Sequence, residues 1–417
     1  MSVIHIQGLK SLHGGIPIQG SKNAVLPLMA AALLHSGTIV LRNVPEIQDV
    51  FCMLGILKSL GCHCIFKEHD LIIDTRNLDQ ASICHEQGKK MRSSVMLLGP
   101  LLGRLHKVET CFPGGCSIGK RPIDLHLSAL EKMGARIEVK GEHVTAYSHK
   151  LHGADIRLAF PSVGATENIL MAAVTAEGVT RIYGAAREPE IGTLCQFLSA
   201  MGARIEGTGS SFLTVYGEAS LKDTTFVVPG DRIVAGTYLG AVMAVGGDIC
   251  LSGVPVDHME GTLQMAREAG CELCLKQNQI QARMKQRPLP FKLITGPYPE
   301  FSTDLQSVML AVASVAQGES CIQENVFEGR FATAQELNKL GAHIIIEEGT
   351  ALVTGGFPLR GSTVQAWDLR GGAALVVAGL AADGESRIHG YSYISRGYED
   401  ICRDLKALGA SLSLEED

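Results

Sequence analysis

Residues 24–34 read Ala-Val-Leu-Pro-Leu-Met-Ala-Ala-Ala-Leu-Leu, and beyond Gly37 the chain continues Thr-Ile-Val-Leu-Arg to position 42. The first run is apolar around the whole circumference of a helix, and such a helix is buried rather than laid on a surface. The second is β-branched and strand-forming, with a glycine ahead of it to take a left-handed turn. The same pattern returns around Gly103, Gly178, Gly247, Gly318 and Gly384. After each copy comes a helical run that ends in a hydrophobic residue and glycine, at Gly61, Gly134, Gly202, Gly270, Gly341 and Gly409. These glycines lie 73, 68, 68, 71 and 68 residues apart, so six copies of one unit account for all 417 residues. The second helix of each unit carries polar positions, as at 123–133 with Asp124, His126, Glu131 and Lys132, and is expected to face solvent. Each unit reads as buried helix, strand, surface helix and one or two strands. Six of them make an α/β protein of two similar halves.

Composition narrows the function. Hydrophobic residues at 46% and charged residues at 19% describe a globular chain. A net charge of -6 argues against a nucleic-acid footprint while leaving room for a local basic site. The first ten residues lack the basic start and apolar core of a signal peptide. The most apolar stretch, 233–247, is shorter than the roughly 20 residues of a membrane span. A soluble cytoplasmic protein is expected, with no membrane partner. Twelve cysteines are too dilute for a disulfide framework, and most are expected in the core. The pairs Cys62-His-Cys64 and Cys271-Glu-Leu-Cys274 admit a zinc reading, but both fall at strand starts, where core packing is favoured.

The repeat exposes an insertion. From first glycine to second the units span 24, 31, 24, 23, 23 and 25 residues, so the second unit is longer by about seven. The excess falls in Cys111-Phe-Pro-Gly-Gly-Cys-Ser-Ile-Gly-Lys-Arg121. This is either a plain surface loop or a functional one. Lys120 and Arg121 follow Cys116 closely, and cations lower a thiol's pKa and raise its reactivity. Pro122 suits a first helical position, which puts Arg121 at a helix N-terminus.

Charge recurs at helix starts: Lys22 and Asn23, Arg92, Asp231-Arg232, Asp304 and Arg370 before buried helices, and Arg121, Arg187, Arg330 and Arg396 before surface ones. Singly, Asp304 reads as an N-cap and each arginine as a solvated charge. Together they point to an anionic ligand carrying phosphate or carboxylate. The chain has no Gly-x-x-x-x-Gly-Lys-Ser/Thr loop and no His-Glu-x-x-His. Nicotinamide dehydrogenase and ATP-dependent kinase chemistry are poor fits.

Several motifs resemble the enolpyruvyl transferase family, in the branch of the UDP-N-acetylglucosamine 1-carboxyvinyltransferases. They are Gly20-Ser-Lys22-Asn23-Ala, Pro113-Gly-Gly-Cys116-Ser-Ile-Gly, Arg121-Pro-Ile-Asp-Leu125-His, Ser162-Val-Gly164-Ala-Thr-Glu-Asn, Ala186-Arg-Glu-Pro-Glu190, Asp368-Leu-Arg370 and Arg396-Gly-Tyr-Glu-Asp. The resemblance implies a two-domain fold of six pseudo-symmetric units, three per domain, with one domain at 22–229, the other at 1–21 plus 230–417, and the active site in the cleft between. It implies transfer of enolpyruvate from phosphoenolpyruvate to the 3′-hydroxyl of UDP-N-acetylglucosamine with release of phosphate, the first committed step of peptidoglycan synthesis. It assigns Cys116 as the acid that protonates C3, forms a phosphoenolpyruvate adduct and is the target of fosfomycin. Lys22, Arg121 and Arg396 match the cage for phosphoenolpyruvate, with Arg370 alongside. Asp304 matches the group at the 3′-hydroxyl. Asn23, Arg92, Arg121, Pro122, Ile123, Asp124, Leu125, Ser162, Val163, Gly164 and Val326 match positions at the UDP-sugar site.

The resemblance implies no metal and no organic cofactor. The oligomeric state stays open, a monomer being favoured. Two departures stand out: Ser302 replaces a common proline, which is expected to loosen the Asp304 loop, and Trp367 replaces a small residue, which is expected to alter packing near Arg370. Rival readings are transfer to shikimate 3-phosphate on the same fold, a UDP-sugar-binding protein without catalysis, and a bare repeat scaffold.

Overall fold

A computed structural model describes residues 2–114, 119 and 122–416. Among these, the chain divides into two compact units, one of residues 2–19, 119 and 230–416, the other of residues 20–114 and 122–229. Each has its own hydrophobic core.

The apolar runs form buried helices. In the unit of residues 20–229 these are Lys22–Ala31, Leu98–Leu105 and Val163–Thr175. In the other they are Arg232–Val245, Gln306–Val315 and Leu369–Ala381, each packed on the other two. Every residue of Leu369–Ala381 is buried, as its all-round apolar sequence requires. Close approach is built in with glycine: a Cβ at Gly99 would collide with the carbonyl oxygen of Asn168 on the neighbouring helix.

The strands form six small sheets with one topology. The strand after each buried helix is the second in its sheet. A hairpin, or in the last sheet the two chain-terminal strands, packs antiparallel on one side of it, and a short strand pairs parallel on the other, as Asp155–Arg157 does with Val179–Tyr183. In the second repeat that parallel strand shrinks to the single bridge Ser82–Glu109. The chain trades strands across the repeat. Leu12–Pro17 pairs with Gly247–Ser252, and Thr224–Val227 pairs with Thr38–Arg42. The N-terminal strand Ser2–Gln7 inserts between Glu385–His389 and Ser411–Glu416, completing the last sheet.

Three local expectations change. Gly103 lies inside the helix Leu98–Leu105, and the left-handed residue before the next strand is His106, at φ 60°. Counted from His106, the second unit spans 28 residues to Gly134, so its excess is three to five residues rather than seven. The surface helix there begins at Asp124, with Ile123 as its N-cap, so Pro122 precedes the helix rather than opening it. On that helix His126 turns inward at 5% exposure, against the expectation that it faces solvent. Cys62 and Cys64 are core residues whose thiols burial pushes up to about 12 and about 11.

Candidate functional site

The predicted site residues fall into two groups, one in each unit, and two of them, Cys116 and Arg121, lie outside the described residues.

In the unit of residues 20–229, Ser21 caps the first buried helix by accepting from the Ala24 N–H at 3.3 Å. Lys22 is therefore held at the helix start, and its Nζ meets Asp49 Oδ2 at 2.7 Å, with the two side chains 12% and 3% exposed. Asp49 sits in the first turn of Gln48–Ser59, where a carboxylate also favours the helix dipole. No sequence motif marked it. Asn23 is half-buried beside Lys22.

The residues expected at the UDP-sugar site are joined through His126. Its Nδ1 lies 2.7 Å from Asn168 Nδ2. The Asn168 carboxamide also accepts from the Gly99 N–H at 2.8 Å and donates to the Val95 carbonyl at 2.9 Å. Across the same contact, a Cβ on Gly164 would sit 3.0 Å from the His126 ring, so only glycine fits there without displacing the imidazole. Ser162 caps its helix by accepting from the Ala165 N–H. Arg92 Nη2 reaches the Pro122 carbonyl at 3.5 Å. Pro122, Ile123, Asp124 and Leu125 are thereby brought beside Arg92 on one side, and through His126 beside Ser162, Val163 and Gly164 on the other. His126 and Asn168 stand within the quoted motifs, but their mutual bond is a long-range fact that spacing does not show.

In the other unit, the centre is Asp304. Its Oδ1 accepts from Arg330 Nη2, and its Oδ2 from Arg370 Nη2 at 2.9 Å. The guanidiniums are almost fully buried and the carboxylate is 22% exposed. Sequence reading placed Arg330 only among the charges at helix starts. Asp304 lies in the short turn Thr303–Leu305, and Ser302 accepts from its N–H at 3.4 Å. The serine hydroxyl thus pins the turn that the missing proline was expected to loosen. Arg370 is oriented from its own backbone: Asp368 accepts from the N–H groups of Arg370 and Gly371 at 2.9 and 3.0 Å. Burial works to lower the Arg370 pKa, but the carboxylates of Asp304 and Asp231 act against it and the pKa is raised. Tyr398 shares a 2.7 Å hydrogen bond with Thr237. Trp367 is 54% exposed, with its indole N–H 3.5 Å from Glu336.

Arg396 is half-buried, and the segment that follows it is fixed by Gln19. The Gln19 amide donates to the Gly397 carbonyl at 3.0 Å and accepts from the Glu399 N–H at 2.9 Å. Val326 donates its N–H to Glu324 at 2.8 Å. By contrast Arg187 is exposed and rests on the Gly209 carbonyl, a solvated surface charge.

The family model for EPSP synthase (3-phosphoshikimate 1-carboxyvinyltransferase) matches residues 6–405. The chain belongs to this family, the enolpyruvyl transferases. It is 41% identical over 413 residues to UDP-N-acetylglucosamine 1-carboxyvinyltransferase 2 of Caldanaerobacter subterraneus subsp. tengcongensis, covering 99% of each chain. It is 44% identical over 410 residues to UDP-N-acetylglucosamine 1-carboxyvinyltransferase of Cellvibrio japonicus, covering 98% of each. Among solved structures, the enolpyruvyl transferase NikO from Streptomyces tendae superposes with a TM-score of 0.90 at 21% identity, over 99% of this chain and 98% of that one. EPSP synthase from Acinetobacter baumannii superposes with a TM-score of 0.78 at 19% identity over the whole of both chains. These likenesses bear out the α/β enolpyruvyl transferase fold expected from the sequence.

Proposed function

We propose that this enolpyruvyl transferase moves the enolpyruvyl group of phosphoenolpyruvate to the 3′-hydroxyl of UDP-N-acetylglucosamine, releasing phosphate. The observation that carries the proposal is the 41–44% identity, over 98–99% of both chains, to relatives named for that acceptor. The product feeds peptidoglycan synthesis, and through it cell shape and division. The activity belongs in the cytoplasm. In support, no helix among the described residues is long and apolar enough to cross a membrane.

The chemistry needs an acid, fixed cations and a group to receive the sugar proton. An acid adds a proton to C3 of phosphoenolpyruvate, which makes C2 electrophilic; the sugar oxygen bonds to C2 as its own proton leaves. Loss of a C3 proton and departure of phosphate then restore the double bond. Cys116 is assigned as the acid and as the thiol that forms the phosphoenolpyruvate adduct and reacts with fosfomycin. Lys22, Arg121 and Arg396, with Arg370, are assigned to the phosphate and carboxylate, whose charges need fixed cations. The carboxylate of Asp304 has about four acceptor sites, and two arginines occupy one on each oxygen. The guanidiniums thereby hold the carboxylate in place to meet the 3′-hydroxyl. Asn23, Arg92, Pro122 to Leu125, Ser162 to Gly164 and Val326 are assigned to the nucleotide sugar. The Arg92–Pro122 contact and the His126 bridge support that grouping.

The test is phosphate release from phosphoenolpyruvate with either acceptor. Turnover with UDP-N-acetylglucosamine and none with shikimate 3-phosphate is expected. The reverse would transfer the chain to the activity for which the family model is named.

A further inference from the structure

Glu324 follows the strand Glu319–Gln323 and is 9% exposed. Its carboxylate is held by three uncharged donors. Oε1 accepts from the backbone N–H groups of Val326 at 2.8 Å and Phe327 at 3.0 Å, and Oε2 accepts from the Thr303 hydroxyl at 2.9 Å. Thr303 immediately precedes Asp304. Phe327 leads to Arg330, whose guanidinium lies over the Phe327 ring, 5.2 Å from its centroid, and donates to Asp304. The contacts close into a circuit: Glu324 to Thr303 and Asp304, Asp304 to Arg330, and Arg330 through Phe327 back to Glu324. A second tether sets the base of this segment, the Asn325 N–H donating to Thr295 Oγ1 at 3.0 Å.

We propose that Glu324 is a positioning residue that sets the spacing between the Asp304 turn and the Val326–Phe327 backbone, and so governs how the nucleotide-sugar acceptor is received. The inference rests on Asp304 and Val326 serving the acceptor, as proposed above. Burying a carboxyl without a cation is unfavourable for stability, and an apolar residue of similar size would serve a merely packed position. What an apolar residue cannot do is hold two successive N–H groups and a hydroxyl from separate segments at hydrogen-bond length. Misplacing a substrate contact by about 1 Å can cost about a hundredfold in rate, so this spacing matters even though Glu324 lies behind the site.

The experiment compares the wild type with Glu324→Ala, Glu324→Gln and Thr303→Val in steady-state kinetics with phosphoenolpyruvate and UDP-N-acetylglucosamine. Calorimetric binding of the nucleotide sugar and thermal melts are run in parallel. Glu324→Ala is expected to raise KM and Kd for the nucleotide sugar about 10- to 100-fold while leaving KM for phosphoenolpyruvate within about threefold. Glu324→Gln is expected to stay within about threefold of wild type, because the amide oxygen still accepts both N–H groups and the Thr303 hydroxyl can turn to accept from the amide nitrogen. Thr303→Val, which keeps the carboxylate but cuts the link to the turn, falls between them and carries the test if the alanine variant does not fold. Equal rises in both KM values, a fall in melting temperature with unchanged Kd, or a glutamine variant as impaired as the alanine one would overturn the proposal. A wild type that binds the nucleotide sugar without turnover would count against the proposed function instead, and the Kd comparison would still decide the role of Glu324.

Discussion

Removing the Asp304 carboxylate should destabilise its own unit before any effect on turnover is considered. In Asp304→Ala, Arg330 and Arg370 keep their charges at 4% and 5% side-chain exposure and lose the carboxylate that both address. Breaking a buried ion pair by deleting one partner costs about 3–5 kcal/mol. Two features reduce that here: Asp304 is 22% exposed, so water can enter, and Arg370 keeps the charge of Asp231 close by. About 2–4 kcal/mol is a fair expectation, and for a unit of this size each kcal/mol lowers Tm by about 2–4 °C, giving a fall of about 4–16 °C. Scanning calorimetry of the wild type, Asp304→Ala, Arg330→Met and the double variant measures this. The double variant should be less destabilised than the sum of the singles, because removing Arg330 takes away one of the stranded charges. If Asp304→Ala melts with the wild type, or if the two changes simply add, Asp304 is not the counterion of Arg330.

Two further outcomes follow from other parts of the molecule. Gln19→Ala deletes both hydrogen bonds that hold Gly397 and Glu399, loosening the Arg396 segment. A loss of about 1–2 kcal/mol would raise KM for phosphoenolpyruvate about 5- to 30-fold, with KM for the nucleotide sugar little changed; equal effects on both would contradict it. Glu167 is fully buried, neither of its oxygens has a hydrogen-bond partner among the described residues, and burial with the charges of Glu190 and Glu188 raises its pKa well above 4.5. The folded chain therefore keeps a proton that the unfolded chain releases, and stability falls as pH rises above about 4.5, by about 1.4 kcal/mol per unit until the folded pKa is reached. Glu167→Gln removes that term, so its Tm advantage over wild type should widen as pH rises above about 5; a constant difference would show that Glu167 ionises normally.

The repeat was legible because its signals are local. An all-round apolar run and a left-handed glycine declare a buried helix and its end, as at Val163–Thr175 with Gly178 and again at Leu369–Ala381 with Gly384. The parallel edge strands were not seen. Asp155–Arg157 and Lys292–Ile294 are three residues long, too short for an alternating pattern to register. The exchange of Leu12–Pro17 and Thr224–Val227 is a non-local pairing that no window along the chain reveals. Gly103 misled because a glycine is tolerated inside a helix, and the left-handed position fell to His106 instead. At the site, Lys22, Asp304 and Arg370 stood out by charge at helix starts. Asp49, Glu324 and Gln19, like the pairing of Arg330 with Asp304, matter through partners between 21 and 380 residues away, which leave no trace in composition or spacing.

The most direct measurement is mass spectrometry of the nucleotide sugar, with phosphate release, after incubation with phosphoenolpyruvate, for the wild type and Cys116→Ala. Expected is a UDP-N-acetylglucosamine heavier by one enolpyruvyl group, formed with equimolar phosphate by the wild type and at a much lower rate by the variant. An unchanged nucleotide sugar, bound saturably but never modified, would contradict the assignment of this chain as a transferase acting on that acceptor.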